Sequence, residues 1–290
     1  MLPSLTFCND IDFSDWQTYQ EVHRILLEEF GIVTTDSFWL FAPAGSDMAL
    51  FKSNCQEKGP KHDELLEEIL AGRLNILHSA GNFSQTDTSV RSSRGMISEA
   101  LQYLSDHARI PQIWTNHGDI GDIQNIGGSS PYYQEGDLPS SETYIVDLLL
   151  HYGVRFFWLD YHCSNTFVFE RADTGNNPLW SLETTRSGHQ IRCFRRFRGA
   201  LPKAPTALTL GDQLSASNLE ALATSDRGVT IIYQHWCAHR DASGKAIVAG
   251  RPIFPETAML GLKQLVKLRE QQRIALMPLE ELLNQCASAL

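Results

Sequence analysis

The sequence contains no apolar run approaching the roughly 20 residues that cross a bilayer, so no segment reads as a transmembrane helix. It also lacks a charged leader followed by an apolar stretch; the opening MLPSLTFCND is not patterned as a signal peptide. Paired-cysteine motifs are missing as well. Cys8, Cys55, Cys163, Cys193, Cys237 and Cys286 show no CxxC and no regular spacing, and they are read as reduced thiols. Positive charge is scarce: 24 Lys and Arg stand against 34 Asp and Glu, a formal net charge of -10. Phosphate binding needs a basic face, so nucleic acid is not expected as the main partner. These absences together lead to the expectation of a cytoplasmic protein with no membrane span, its oligomeric state left open.

What the sequence does contain is an alternation of short apolar runs with helical periodicity. Strands are expected at 5–8, 37–41, 75–77, 112–115, 154–159, 228–233 and 274–277. Helices are expected at 16–30 with Gly31 as C-cap, 63–71, 92–107, 141–152 capped by Gly153, 214–224 and 255–271, with a closing helix after the last strand. Between 164 and 205 the periodicity fails, and the turn signal Gly175-Asn176-Asn177-Pro178 marks a rim insertion that includes a hairpin. Strands alternating with helices imply parallel βαβ units. The expected fold is therefore α/β, a distorted (β/α) barrel of about seven parallel strands. It is read as a single domain over 1–290, with the rim insertion at 164–205.

In such barrels, polar residues just past the C-terminal end of a strand point into the active-site mouth. Several strands here end that way. The first runs into Asn9-Asp10-Ile11-Asp12, and alternate residues of an extended chain face one side, so the two carboxylates share a direction. One is expected to be a metal ligand and the other a base; capping of the next helix is the structural alternative. His78 and His117 each follow a strand. A carboxylate with two histidines and an open position is the usual donor set of a hydrolytic zinc site. His235 follows a late strand and is a candidate general acid. Asp160 and His162, at the end of the 154–159 strand, are candidate substrate contacts. Trp114, Trp158, Trp236 and Tyr233 read mainly as core, although flat rings near a barrel mouth also suit sugars. The cluster Arg192, Arg195, Arg196 and Arg198 reads as a solvated strand face, with anion binding as the alternative.

With these residues in place, the chain resembles the polysaccharide deacetylase superfamily of carbohydrate esterases. Leu5-Thr6-Phe7-Cys8-Asn9-Asp10-Ile11-Asp12 is similar to the family's first motif, a strand ending in paired aspartates. Asn75-Ile76-Leu77-His78-Ser79 is similar to the second, and Gly228 to His235 to the late strand that ends in a catalytic histidine. The closing helix, strand and helix, from Leu262 to Leu283, also look like the family's. Two features depart from it. The further histidine expected after the first in the second motif is replaced by Asn82 and Phe83, and the arginine–proline motif by Thr115-Asn116-His117-Gly118-Asp119.

The resemblance implies metal-assisted removal of an acyl group, chiefly acetyl, from an amino sugar or a polysaccharide-pathway intermediate. Asp12, His78 and His117 are then the expected ligands of a divalent metal, most simply zinc. Asp10 is the expected base and His235 the expected acid, although the one-residue spacing leaves the roles of Asp10 and Asp12 interchangeable. Asn82, Asp119, Asp160, His162 and Trp236 are the expected substrate contacts. Two other readings stay open. One is a metal-dependent glycosidase of a related barrel, drawing a carboxylate pair from Asp119, Glu135, Asp137 or Asp160. The other is a non-catalytic sugar-binding barrel.

Overall fold

The structure, a computed structural model, describes residues 2–83, 90–118, 122–127, 134–173, 175–200 and 203–288. The chain folds into two compact units, each built from separate stretches. The first comprises Met1–Thr35, Cys163–Trp180 and Arg195–Leu290, and the second Asp36–His162 and Ser181–Phe194.

At the centre of the first unit, Ser4–Asn9 and Val229–Gln234 lie parallel, in register from Ser4 opposite Val229 to Asn9 opposite Gln234. Every residue of both strands is buried. Continuous apolar runs such as Val229-Thr230-Ile231-Ile232-Tyr233 are what a parallel strand covered on both faces requires. Ala275–Leu276 pairs parallel with Ser4–Asn9. Arg196–Phe197 pairs parallel with Val229–Gln234, and Cys163–Ser164 with Arg196–Phe197. Helices Trp16–Arg24, Ala216–Ala223, Glu256–Glu270 and Leu279–Ala287 belong to the same unit. The first of them, expected to run to residue 30 as one helix, widens into a π-helical stretch at Ile25–Glu29. Gly31 closes it as expected. Its φ of 58° is the left-handed conformation that glycine adopts without a Cβ penalty, and its N–H returns to the Leu27 carbonyl at 2.9 Å.

In the second unit, Asp36–Phe41, Leu74–His78, Ile113–Thr115, Phe156–Trp158 and Gln190–Phe194 lie side by side, each parallel to the next. Ala49–Phe51 also pairs with Asp36–Phe41, a three-residue strand too short for its periodicity to be read. Helices His62–Leu70, Arg94–His107 and Val146–His151 complete the unit. The last starts five residues later than expected. The Ser141 hydroxyl bonds to the Glu135 carboxylate and the Thr143 hydroxyl, while the Gly136 carbonyl accepts from Ile145 N–H at 2.8 Å. Side-chain bonds of this kind offer the backbone an alternative to the first helical turn.

A mixed α/β fold with mostly parallel strands is thus present in both units. The 164–205 stretch is richer in strands than its irregular pattern suggests. Trp180–Thr184 and Gln190–Phe194 form the arms of the expected hairpin, and Gln190–Phe194 and Arg196–Phe197 each take a place beside a parallel strand. Runs of two to five residues, broken by Ser and Arg, carry too little apolar periodicity to announce this. Among the described residues, no helix is long and apolar enough to cross a membrane.

Candidate functional site

Two buried polar clusters stand at strand ends, one in each unit. The first follows from register. Asn9 faces Gln234 across the parallel pair, so Asp10 and His235 are the next residues on neighbouring strands. The Asp10 N–H donates to the Gln234 carbonyl at 2.9 Å, and the Asn9 side chain accepts from Trp236 N–H at 2.9 Å, which pins both chain exits. Asp10, Asp12 and His235 are all buried and offer ligand atoms within 4.8 Å of one another, a group that could hold a metal ion.

Asp10 is already engaged. Both its oxygens accept from the guanidinium of Arg196, at 2.8 and 3.1 Å, and Arg196 is 0% exposed. Burial alone would pull this guanidinium down, but the Asp10 carboxylate holds it well above its ordinary range, so it stays charged. Arg196 also lies over the Tyr233 ring, 3.8 Å from its centroid, a desolvated cation–π contact. The reading of this arginine as part of a solvated strand face is therefore corrected. An isolated guanidinium is too costly to bury, and here a fork-shaped bidentate partner offsets that cost.

His235 Nδ1 lies 2.9 Å from the Pro205 carbonyl. A carbonyl only accepts, so Nδ1 carries the proton and Nε2 is the nitrogen that exchanges one. Around Nε2 stand the Tyr233 hydroxyl and Asp12 Oδ2, both at 3.4 Å. Burial, then the Asp10 carboxylate, push the Tyr233 phenol well above its usual range, so it remains a donor. Neutral His235 thus accepts from Tyr233, and protonated His235 donates toward Asp12. Phe13, immediately after Asp12, has φ 60°, an uncommon left-handed conformation for a bulky residue.

In the second unit, register places His78 opposite Thr115, and His117 lies two residues farther along the chain. His78 Nδ1 is bonded to the Thr115 hydroxyl at 2.9 Å, and His117 Nδ1 to the fully buried carboxylate of Asp122. The two rings are 4.9 Å apart between centroids, and Trp39 stands beside both, at 6.1 and 5.7 Å. With both Nδ1 atoms so engaged, Nε2 is the atom that each would present to a metal. Asp122 is itself held, accepting from Phe83 N–H at 2.9 Å and from the Gln124 amide at 3.1 Å. Ser79, just after His78, repeats the left-handed conformation of Phe13 with φ 55°. Gly81 follows because nothing larger fits: a Cβ there would stand 2.3 Å from the Phe41 carbonyl oxygen.

The donor sets differ in how well they suit a cation. Both Asp10 oxygens already serve an arginine, which competes with a metal for the same charge. Imidazoles oriented through Nδ1 by a hydroxyl and a carboxylate are the arrangement seen around metal-ligating histidines. Of the expected metal ligands, Asp12 belongs to the first unit, and His78 and His117 to the second.

The expected substrate contacts fare unevenly. Asp160 accepts from the Asn116 amide at 3.0 Å and the Gln134 amide at 2.9 Å. His162 is buried and bonds through Nε2 to the Ser181 hydroxyl at 3.0 Å. Asn82 is buried, its N–H on the Phe41 carbonyl. Trp236, 0% exposed, packs between Phe7 and His23, so it serves the core and not a sugar-stacking surface. Asp119 lies outside the described residues. Glu135 is bonded by the Ser141 hydroxyl, and Asp137 by Arg186 and the Gly127 N–H. Of the carboxylates suggested for a glycosidase, the three among the described residues, Glu135, Asp137 and Asp160, thus each have hydrogen-bond partners. Asp122 was not singled out from the sequence. Arg196 stood out only within the Arg192–Arg198 cluster, which did not say which arginine turns inward; Tyr233 stood out only among the strand aromatics and Thr115 only as a residue preceding His117. Comparison of the chain with protein-family models, with curated proteins and with solved structures finds no match.

Proposed function

We propose that the protein is a metal-dependent hydrolase that removes an acyl group, chiefly acetyl, from an amino sugar or related polysaccharide-pathway intermediate. The (β/α) barrel expected from the sequence is part of this reading. The observation that carries it is the buried pair His78 and His117, each oriented through Nδ1 by Thr115 or Asp122. Two imidazoles suit zinc or a similar borderline divalent ion, and the expectation from the sequence that Asp12 serves with them is kept. When bound, such an ion polarises a carbonyl and acidifies water.

The chain's own residues supply the proton chemistry. His235 keeps its Nδ1 proton on the Pro205 carbonyl and exchanges the other at Nε2, the position of a general acid that protonates a departing amine. Tyr233 donates to Nε2 while the ring is neutral, which fixes its orientation. Asp10, expected as base, accepts from the Arg196 guanidinium with both oxygens, which leaves it less free to take a proton. Its role is accordingly read as positioning as much as proton transfer.

The test is metal analysis of the purified protein after zinc or cobalt loading, followed by assay of acetate release from N-acetylated amino sugars. His78→Ala is expected to abolish stoichiometric metal and acetate release together. Full activity in that variant overturns the mechanism. Release of free sugar without acetate would establish the glycosidase alternative, and absence of metal after loading the non-catalytic one.

A further inference from the structure

A second feature of the first unit is a cavity of about 290 Å³ past the ends of the parallel strands Cys163–Ser164 and Arg196–Phe197. It lies near the lower end of the roughly 300–1,000 Å³ of small-molecule sites. Its lining mixes apolar groups such as Phe197 and Ala200 with polar side chains, among them Asn165, Arg198, Thr209, Asp212 and Gln213. Among the described residues, neither Arg198 nor Asp212 has a charged partner. The Arg198 Nε is buried without any acceptor, an arrangement that costs free energy until one is supplied. Strand geometry holds this arginine in place, since its N–H donates to the Ser164 carbonyl at 2.9 Å.

Gln213 is 2% exposed and rigidly held. Its amide nitrogen donates to the Tyr233 carbonyl at 2.9 Å and the Arg198 carbonyl at 3.1 Å, and its oxygen accepts from the Gln234 amide. With its amide so engaged, Gln213 braces the backbone of Arg198 before any ligand arrives, which lowers the ordering cost of binding there.

We propose that this cavity binds a small hydroxylated oxyanion, a carboxylate or phosphate carried on a polyol of about monosaccharide size. Arg198 takes the oxyanion, as a guanidinium does best. Asp212, Asn165 and Thr209 take hydroxyls, Asp212 as an acceptor that also disfavours a second negative charge. None of these residues belongs to the proposed hydrolytic machinery, so the inference stands or falls separately.

Titration calorimetry of the full chain with glucuronate, glucose 6-phosphate and glucose tests it. Both anionic sugars are expected to bind and glucose to bind at least about tenfold more weakly, the scale of one charge-assisted hydrogen bond. Whichever anion binds more tightly identifies the oxyanion. Arg198→Gln should weaken both by about tenfold or more. Asn165→Ala, at an exposed position that leaves the fold intact, should weaken the sugars but not inorganic phosphate. Binding of none of the probes to the wild-type chain, or equal binding by Arg198→Gln, overturns the proposal.

Discussion

Replacing Arg196 with methionine removes a cation that is 0% exposed and bonded to both oxygens of a carboxylate that is itself 2% exposed. Methionine fills similar apolar volume but leaves the Asp10 charge buried and uncompensated. Breaking a buried pair from one side costs about 3–5 kcal/mol, a large share of the roughly 5–15 kcal/mol by which domains are stable. The contact with the Tyr233 ring is lost in the same change and is contained in that range, not added to it. With a urea m-value of about 3 kcal/mol/M, the midpoint should fall by about 1–2 M. Asp10→Asn should show a loss of the same order, because it strands the guanidinium. The informative variant is the double one. With both charges gone neither desolvation penalty remains, so it should lose less than the sum of the singles by more than about 1 kcal/mol. Urea melts followed by circular dichroism and tryptophan fluorescence measure all three. A loss below about 1 kcal/mol for Arg196→Met, or strict additivity in the double variant, would refute a buried ion pair at this place.

Other expectations follow from the same geometry. Asp122→Asn removes the carboxylate that orients His117 and should weaken zinc or cobalt binding about 10–100-fold in competition with a chromophoric chelator; an unchanged affinity would detach Asp122 from the metal site. Burial alone would raise the Asp137 carboxyl, but hydrogen bonds from Arg186 and the Gly127 N–H hold it below its ordinary value. A depressed folded value contributes stability that is full above the unfolded carboxylate value of about 3.9 and is lost as pH falls through the lower folded one. Asp137→Asn should therefore be less stable than wild type at neutral pH, with the difference shrinking below about pH 4; a gap that is constant with pH in urea melts would contradict this. Gly81→Ala brings a Cβ within 2.3 Å of the Phe41 carbonyl oxygen at φ 154°, and should cost about 1–3 kcal/mol or more. A thermal melt indistinguishable from wild type would show that the loop yields freely.

The placement of chemistry along the chain was legible early. Asp10, Asp12, His78, His117 and His235 all follow apolar runs, and those runs are strands because buried parallel strands have to be continuously apolar. The period of helix and strand also located most elements, with Gly31 marking a helix end through its left-handed conformation. Local pattern failed where the deciding contacts are distant or the elements very short. The delayed helix at Val146 follows side-chain bonds around Ser141, six positions from Glu135, that helical periodicity does not register, and the short strands between 164 and 205 pair with neighbours elsewhere in the chain.

The same division runs through the site. The positions and ends of most strands along the chain, legible in the sequence, say which acids and histidines stand past a strand. They do not say what each one touches. Arg196 is 186 positions from Asp10, and nothing local separates it from Arg195 or Arg198. Only the tertiary structure selects it, because a guanidinium enters the interior solely where a carboxylate with matching geometry waits for it. The proton on His235 and the ring orientations of His78 and His117 are settled in the same way, by Pro205, Thr115 and Asp122. A hydrogen bond to a buried ring nitrogen is a matter of distance and direction, and those come into being when the chain packs.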